Sequence, residues 1–141
     1  MHKRILIPID VSNPEPGSKS CPVARDMAKA SGATIKLVSV LPGYNFSMVA
    51  SFFPEDAQEK MKAKVLEDLR KIGEKYFDEA PEVSVSTGKR AREILAAAAD
   101  WNADLIIFGC RPKDALGGEP ILGSVGIALA ERAKCNVFVA R

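Results

Sequence analysis

Two short segments of the chain are apolar at every position, and they constrain the fold more than any other feature. They are Ile5-Leu6-Ile7-Pro8-Ile9 and Leu105-Ile106-Ile107-Phe108. Runs of this length without polar alternation are typical of strands that are covered on both faces, as in parallel sheets. Pro8 fits near a strand end, where it need not donate a ladder hydrogen bond. We therefore predict two buried strands, the first of them at the centre of a parallel sheet.

Segments with helical periodicity alternate with these strands and with three others. The sequence predicts strands over residues 5–9, 33–40, 82–87, 105–108 and 136–140, and helices over residues 19–31, 54–76, 90–101 and 122–133. Ser18 is expected to cap the first helix and Gly32 to end it. The third strand alternates apolar and polar residues, which is typical of an edge strand. The pattern favours one α/β domain over residues 1–141, a single five-stranded parallel sheet with helices on both faces, in the order 3-2-1-4-5 or 2-1-3-4-5.

The composition excludes several classes of function. A net charge of +2 over 141 residues gives no basis for binding nucleic acid. Three cysteines without CxxC spacing and a single histidine, His2, indicate neither a zinc site nor a disulfide framework. No apolar run approaches the ~20 residues of a membrane span, and no signal-peptide pattern is present. We therefore expect a cytoplasmic protein with no nucleic acid partner and no membrane span.

A glycine-rich loop follows the strand at residues 105–108. Gly109 ends the strand, Gly117-Gly118 lies within the loop, and Gly123-Ser124 opens the last helix. Free backbone amides at a helix start, approached closely through a glycine, are suited to binding phosphate. The alternative is that Ser124 simply caps the helix. Arg111 and Lys113 would either neutralise the charge of a phosphate or form a solvated face of the loop. Cys110 has no neighbouring histidine, so a catalytic thiolate is not expected.

The end of the first strand is the second candidate for ligand contact. Ligands of open α/β sheets bind beyond the carboxyl ends of the strands, where the winding direction reverses. In the order 3-2-1-4-5 that point lies between strands one and four, so Pro8, Ile9 and Asp10 would face Gly109 across one crevice. The Asp10 carboxylate could accept from a ribose hydroxyl, hold magnesium through water, or cap the following turn.

Other phosphate-binding folds do not match the sequence. The chain has no GxxxxGK[ST] motif, and the loop after strand one lacks the glycine fingerprint of dinucleotide-binding folds. Asp10 stands without the second acid expected of a response-regulator receiver, and residues 13–16 do not resemble the threonine-rich loop of flavodoxin. The phosphate loop is therefore predicted to follow strand four.

Five stretches of the chain together resemble the universal stress protein family over nearly the whole length. They are Ile5-Leu6-Ile7-Pro8-Ile9-Asp10, Gly88-Lys89-Arg90-Ala91-Arg92-Glu93-Ile94, Ala103-Asp104-Leu105-Ile106-Ile107-Phe108-Gly109, Leu122-Gly123-Ser124-Val125 and Cys135-Asn136-Val137-Phe138-Val139-Ala140-Arg141. The resemblance implies the order 3-2-1-4-5, a Rossmann-like sheet of the adenine nucleotide alpha hydrolase type. It also implies a homodimer and, in the nucleotide-binding branch, ATP held by a G-x-x-G-x(8-10)-G-[ST] loop.

The resemblance also implies the residues of the site. Pro8, Ile9 and Asp10 would line the adenosine, and Val40 would meet the adenine. The ribose and phosphates, with which a magnesium ion could be bound, would be held by Phe108, Gly109, Arg111, Gly123, Ser124 and Val125. The chain departs from the family pattern at Pro112, which replaces the second loop glycine and has a fixed φ and no amide donor.

Three hypotheses of function follow. The first is a cytoplasmic homodimer that binds ATP or a related adenine nucleotide and acts as a sensor or regulator in the stress response. It would hydrolyse ATP slowly at most, because no general base is evident near the loop. The second, which Pro112 keeps open, is a dimer without nucleotide that acts through protein contacts, for which the apolar residues 44–53 are a candidate surface. The third is an enzyme of the related adenylating α/β families, in which an added domain usually supplies the substrate contacts; 141 residues leave no room for such a domain. Dimerisation is predicted through the apolar edge strand at residues 137–139.

Overall fold

The computed structural model describes residues 1–42, 55–110 and 122–141. Its elements, in chain order, are β1 Arg4–Pro8, α1 Ser20–Ser31, β2 Thr34–Pro42, α2 Glu55–Tyr76, β3 Glu82–Gly88, α3 Arg90–Asp100, β4 Leu105–Gly109, α4 Gly123–Arg132 and β5 Asn136–Ala140. Every predicted strand and helix is present in these residues, with ends that differ by about one or two positions. The predicted contributions of residues 44–53, of Arg111, Pro112 and Lys113, and of Gly117-Gly118 lie outside the described residues.

The strands form one sheet in the order β3-β2-β1-β4-β5, with parallel pairing throughout. This confirms the order that the family resemblance implies and excludes the alternative 2-1-3-4-5. It also confirms that β1 is the central strand. Ile5, Leu6 and Ile7 are completely buried there, because both faces of β1 are covered.

The two faces of the sheet carry separate apolar cores. Ile5 and Ile7 belong to the core beneath α1 and α2, which also contains Cys21 and Leu69. Leu6 points to the opposite face and packs in the core beneath α3 and α4. Alternate residues of a strand face opposite sides of a sheet, so a strand that contributes to both cores must be apolar at every position. The continuous apolar run in the sequence has this physical cause.

The observed helix ends confirm one predicted capping residue, Gly32, and differ from the sequence-based interpretation at Ser18 and Ser124. Gly32 ends α1 as predicted, in the left-handed conformation with φ of 72°, and its N–H donates to the Ala28 carbonyl at 2.7 Å. The prediction that Ser18 caps α1 is wrong. Lys19 occupies the N-cap position and provides no side-chain cap, and the Cys21 N–H donates instead to the Gly17 carbonyl at 2.9 Å. Ser124 is not a cap either, because α4 begins at Gly123 and Ser124 lies inside its first turn.

The edge strands are more exposed to solvent than the central strands. β3 is an edge strand, as its alternating sequence predicted, and its residues are half-buried or exposed. β5 forms the other edge and leaves Phe138 37% exposed. Of the helices in the described ranges, none combines the length and the apolar character needed to cross a membrane.

Candidate functional site

The sheet opens at its carboxyl edge between β1 and β4. Pairing between these two strands runs only from Ile5 with Leu105 to Leu6 with Ile106. On either side the pairing continues further, to Pro8 with Val38 and to Gly109 with Ala140. The two central strands therefore separate at their ends, and a cleft of about 480 Å³ lies there. This is the place where the winding direction of the sheet reverses, and its volume falls within the range of small-molecule sites.

Eight of the ten residues predicted for the site line this cleft. They are Pro8, Ile9, Asp10, Val40, Phe108, Gly109, Gly123 and Val125. Ser124 is not among the lining residues, although both of its neighbours are, and Arg111 lies outside the described residues. The structure thus brings together residues from four separate stretches of the sequence.

The backbone after β1 is held rigidly at the cleft. The Ile9 N–H donates to the Val38 carbonyl at 2.8 Å, and the Ile9 carbonyl accepts from the buried Ser39 hydroxyl at 2.8 Å. Both polar groups of Ile9 are therefore satisfied by β2, as buried backbone groups must be. This arrangement sets the direction in which the chain leaves the sheet towards Asp10.

Asp10 organises the loop that forms one wall of the cleft. Its Oδ1 accepts from the Ser12 N–H at 3.0 Å and from the Ser12 hydroxyl at 2.6 Å, which makes an Asx turn. Its Oδ2 lies 3.8 Å from Nη1 of Arg90, at the start of α3. The capping role proposed for Asp10 is therefore present, and its second oxygen faces a cation across the cleft.

The opposite wall is apolar and closely packed. Val40 and Phe108 are 9% and 7% exposed, and both belong to the core beneath α3 and α4. Gly126 in α4 lies against the Phe108 ring, so that a Cβ atom at this position would be only 2.8 Å from Cε2 of the ring. The first turn of α4 can approach β4 this closely because Gly126 has no side chain. The wall suits a planar apolar group.

Three helix N-termini lie at the same edge. In a parallel sheet the helix that follows a strand begins near the strand's carboxyl end, so α1, α3 and α4 all begin around the cleft. Helix N-termini carry partial positive charge and free N–H groups. Among the described residues, two cations also line the cleft, Arg90 and Lys19. The Lys19 ammonium donates to the Cys110 carbonyl at 3.4 Å, just beyond the end of β4.

Comparison with known proteins identifies the family. The model of the universal stress protein family matches residues 1–141, the full length of the chain. The chain belongs to the universal stress protein family.

Solved structures of other universal stress proteins have the same fold. UspA from Lactobacillus plantarum is 19% identical, with a TM-score of 0.71 over 99% of this chain and 97% of that one. A universal stress protein from Archaeoglobus fulgidus in complex with dAMP is 17% identical, with a TM-score of 0.59 over 99% and 98% of the two chains. A universal stress protein in complex with cAMP is 18% identical, with a TM-score of 0.67 over 99% and 97%. At these identities the likeness concerns the fold.

Two cations of this universal stress protein line the cleft without having been predicted there, as does the acid Glu15. Lys19 ends the turn-rich loop after β1, and Arg90 begins the helix after β3. The available signal was their position, since both follow a strand and therefore lie at the carboxyl edge of the sheet. That signal is weak because Lys3, Lys36 and many other cations of the chain serve no such site.

The thiols and acids of this universal stress protein do not form a reactive cluster within the described residues. Cys21 is fully buried under the loop after β1, and burial raises the pKa of its thiol to about 12. Within residues 1–42, 55–110 and 122–141, no three His, Cys, Asp or Glu side chains come together in a manner suited to holding a metal ion. The described part of the cleft thus offers an apolar wall, hydrogen-bonding backbone, and charged side chains of both signs, Asp10 and Glu15 with Lys19 and Arg90.

Proposed function

We propose that this universal stress protein binds an adenine nucleotide, with ATP as the first candidate, in the cleft between β1 and β4. It would act as a sensor or regulator in a stress response in the cytoplasm. One observation carries the proposal, namely that the cleft combines an apolar wall with three converging helix starts at the reversal point of the sheet. The dAMP and cAMP complexes of two family members support it.

The two ends of the cleft suggest how the nucleotide would lie. The apolar side of Val40 would meet the adenine, while Pro8, Ile9 and Asp10 would line the adenosine. Phe108, Gly109, Gly123 and Val125 would hold the ribose and phosphates, together with Ser124 and Arg111. Gly123 is suited to this role, because its φ of 75° turns the backbone sharply where α4 begins. A magnesium ion bound with ATP would rely mainly on phosphate oxygens and water.

A binding role is favoured over an enzymatic one. The carboxylates that line the described part of the cleft are Asp10 and Glu15. Oδ1 of Asp10 already accepts two hydrogen bonds from Ser12, and Oδ2 faces Arg90, an arrangement suited to holding a loop rather than to activating water. We expect hydrolysis to be slow at most, which a phosphate-release assay would measure.

Equilibrium dialysis with labelled ATP tests the proposal directly. The unsubstituted protein should show saturable binding, and Gly123→Val should abolish it by placing a branched side chain in the cleft at a positive φ. Ile127→Ala is the matched control, since Ile127 lies in the same helix, is 50% exposed and does not line the cleft. Circular dichroism verifies that each variant is folded. Absence of saturable binding by the unsubstituted protein would reject the proposal.

Ser124→Ala tests one predicted contact within the same series. Ser124 lies in the first turn of α4 but is not a lining residue. A clear loss of ATP affinity would support a hydroxyl contact with phosphate. Unchanged affinity would remove Ser124 from the site while leaving the cleft intact.

The second candidate function is that of a dimer that acts through protein contacts without nucleotide. It is favoured by Phe138, an aromatic side chain left 37% exposed on the edge strand β5. Apolar edge strands are commonly covered by a partner strand, and we propose a homodimer through β5 under either function. Sedimentation at micromolar concentration should give a dimer, and Phe138→Lys should shift the mass to that of a monomer. A monomeric unsubstituted protein would contradict dimerisation.

A further inference from the structure

The two cations that line the described part of the cleft differ in how their charge is balanced. The Arg90 guanidinium faces the Asp10 carboxylate at 3.8 Å. Lys19 has no such partner, since no carboxylate of the described residues lies within 4.0 Å of its ammonium. Its hydrogen bond in those residues goes to a neutral acceptor, the Cys110 carbonyl, at the long distance of 3.4 Å. An ammonium has three donors, so Lys19 retains capacity for an anion.

The position of Lys19 depends on a glycine in β4. A Cβ atom at Gly109 would lie 3.3 Å from Cβ and 3.7 Å from Cδ of Lys19. The lysine stem therefore lies across the end of β4 in the space that a side chain at position 109 would occupy. This packing keeps the half-buried Lys19 at the cleft and directs its ammonium to the point where the chain leaves β4.

Lys19 lies at the β4 side of the cleft, on which the first turn of α4 also lies. Gly126 of that turn packs against Phe108, and Lys19 packs against Gly109, the next residue of the same strand. A phosphate at the start of α4 would thus be bound in a cleft that also contains an ammonium with no carboxylate within 4.0 Å among the described residues. Attraction between a phosphate and a cation is strong where solvent is partly excluded.

We propose that Lys19 binds the phosphate chain of the nucleotide and makes the cleft prefer nucleotides with several phosphates over those with one or none. This inference rests on the proposed function. Each added phosphate increases the negative charge that the ammonium meets, so the contribution of Lys19 grows from adenosine to AMP to ATP. Lys19 is thereby a specificity-determining residue that acts through charge.

Calorimetric titration with adenosine, AMP, ATP and inorganic tripolyphosphate tests this inference on three variants. Lys19→Met keeps the apolar stem and removes the charge, and it should weaken ATP binding about tenfold and adenosine binding less than about twofold. Lys19→Arg should retain most of the affinity for ATP because it retains the charge. Lys29→Met is the matched control, since Lys29 lies in α1, the helix that Lys19 precedes, is paired with Asp78 at 3.8 Å and does not line the cleft.

The salt dependence provides a second readout that a merely structural role would not change. Added salt should weaken ATP binding by the unsubstituted protein more than by Lys19→Met, because the variant has less charge to screen. Equal losses of ATP and adenosine affinity in Lys19→Met would overturn the inference and leave the proposed function standing. Tripolyphosphate binding that requires Lys19, without any adenosine binding, would reject the proposed function and support the phosphate role. Binding of none of the four probes would reject both.

Discussion

Substitution of Gly126 by alanine tests the close contact between α4 and the cleft wall. Gly126 is buried inside α4, and a Cβ atom there would lie 2.8 Å from Cε2 of Phe108 and 3.1 Å from Cγ of Leu122. Alanine is favoured over glycine inside a helix by about 1 kcal/mol. Overpacking a buried site costs about 1–3 kcal/mol. We therefore expect Gly126→Ala to lower the free energy of unfolding by about 1 kcal/mol.

The added Cβ atom at position 126 is expected to displace the Phe108 ring. The ring is 7% exposed and lines the cleft, so the direction in which it can yield is into the cleft itself. The substitution should consequently reduce nucleotide affinity as well as stability. In a Phe108→Leu background the shorter side chain removes the overlap with the ring, while the 3.1 Å contact with Leu122 remains, so alanine at position 126 should then stabilise the protein by up to about 1 kcal/mol.

Urea denaturation of the four proteins in this double-mutant cycle measures the effect. Trp101 is the single tryptophan of the chain and is 7% exposed, so its fluorescence reports unfolding. The cycle should yield a coupling energy of about 1–3 kcal/mol between positions 108 and 126. If Gly126→Ala were equally stabilising in both backgrounds, the close approach of α4 to β4 would be refuted.

Two further predictions concern titratable groups. Partial burial raises the pKa of Asp104, but hydrogen bonds from the Lys3 and Arg4 N–H groups, at 2.8 and 3.0 Å, outweigh it and hold that pKa below its ordinary value of 3.8. A lowered native pKa stabilises the fold above pH 3.8 and loses that effect as the pH falls through the native value. Asp104→Asn should therefore destabilise the protein at pH 7 by less than about 1 kcal/mol, because solvent screens this carboxylate, and the deficit should shrink as the pH is lowered below 3.8. Denaturant titrations at several pH values measure it, and a deficit independent of pH would contradict the charge argument. Because burial raises the pKa of Cys21 to about 12, iodoacetamide at pH 8 should modify the partly exposed Cys135 well before Cys21, as mass spectrometry of digests would show. Equal rates in the native protein would contradict the burial of Cys21.

The candidate site was predictable in part, because its residues follow strands. Pro8, Ile9 and Asp10 come after β1, and Gly109 ends β4, so knowledge of the strands places them at one edge of the sheet. Val40, Gly123 and Val125, which the family resemblance implied as nucleotide contacts, line the cleft. The roles of these residues in binding stay predictions.

Helix capping illustrates why local patterns fail. Ser18 has the side chain that helix starts prefer, yet α1 begins at Ser20. The turn before the helix is closed by backbone hydrogen bonds, in which the Ser18 N–H donates to the Glu15 carbonyl and the Cys21 N–H donates to the Gly17 carbonyl. Gly17 itself has a φ of 77° and lies over the Cys21 sulfur, where a side chain would not fit. The start of the helix is thus decided by contacts with the core.

The sequence by itself determined that β1 and β4 are buried strands, because a strand covered on both faces must be apolar at every position. It also determined the alternation of strands and helices, and with it the edge of the sheet at which a ligand would bind. Only the tertiary structure decided which charged side chains contact one another at that edge of the sheet. Arg90 faces Asp10, and Lys19 crosses Gly109 to reach Cys110, although about 80 to 90 positions separate the partners in the chain. Such pairs arise from the strand order and the packing of loops across it, and no periodicity in the sequence records them.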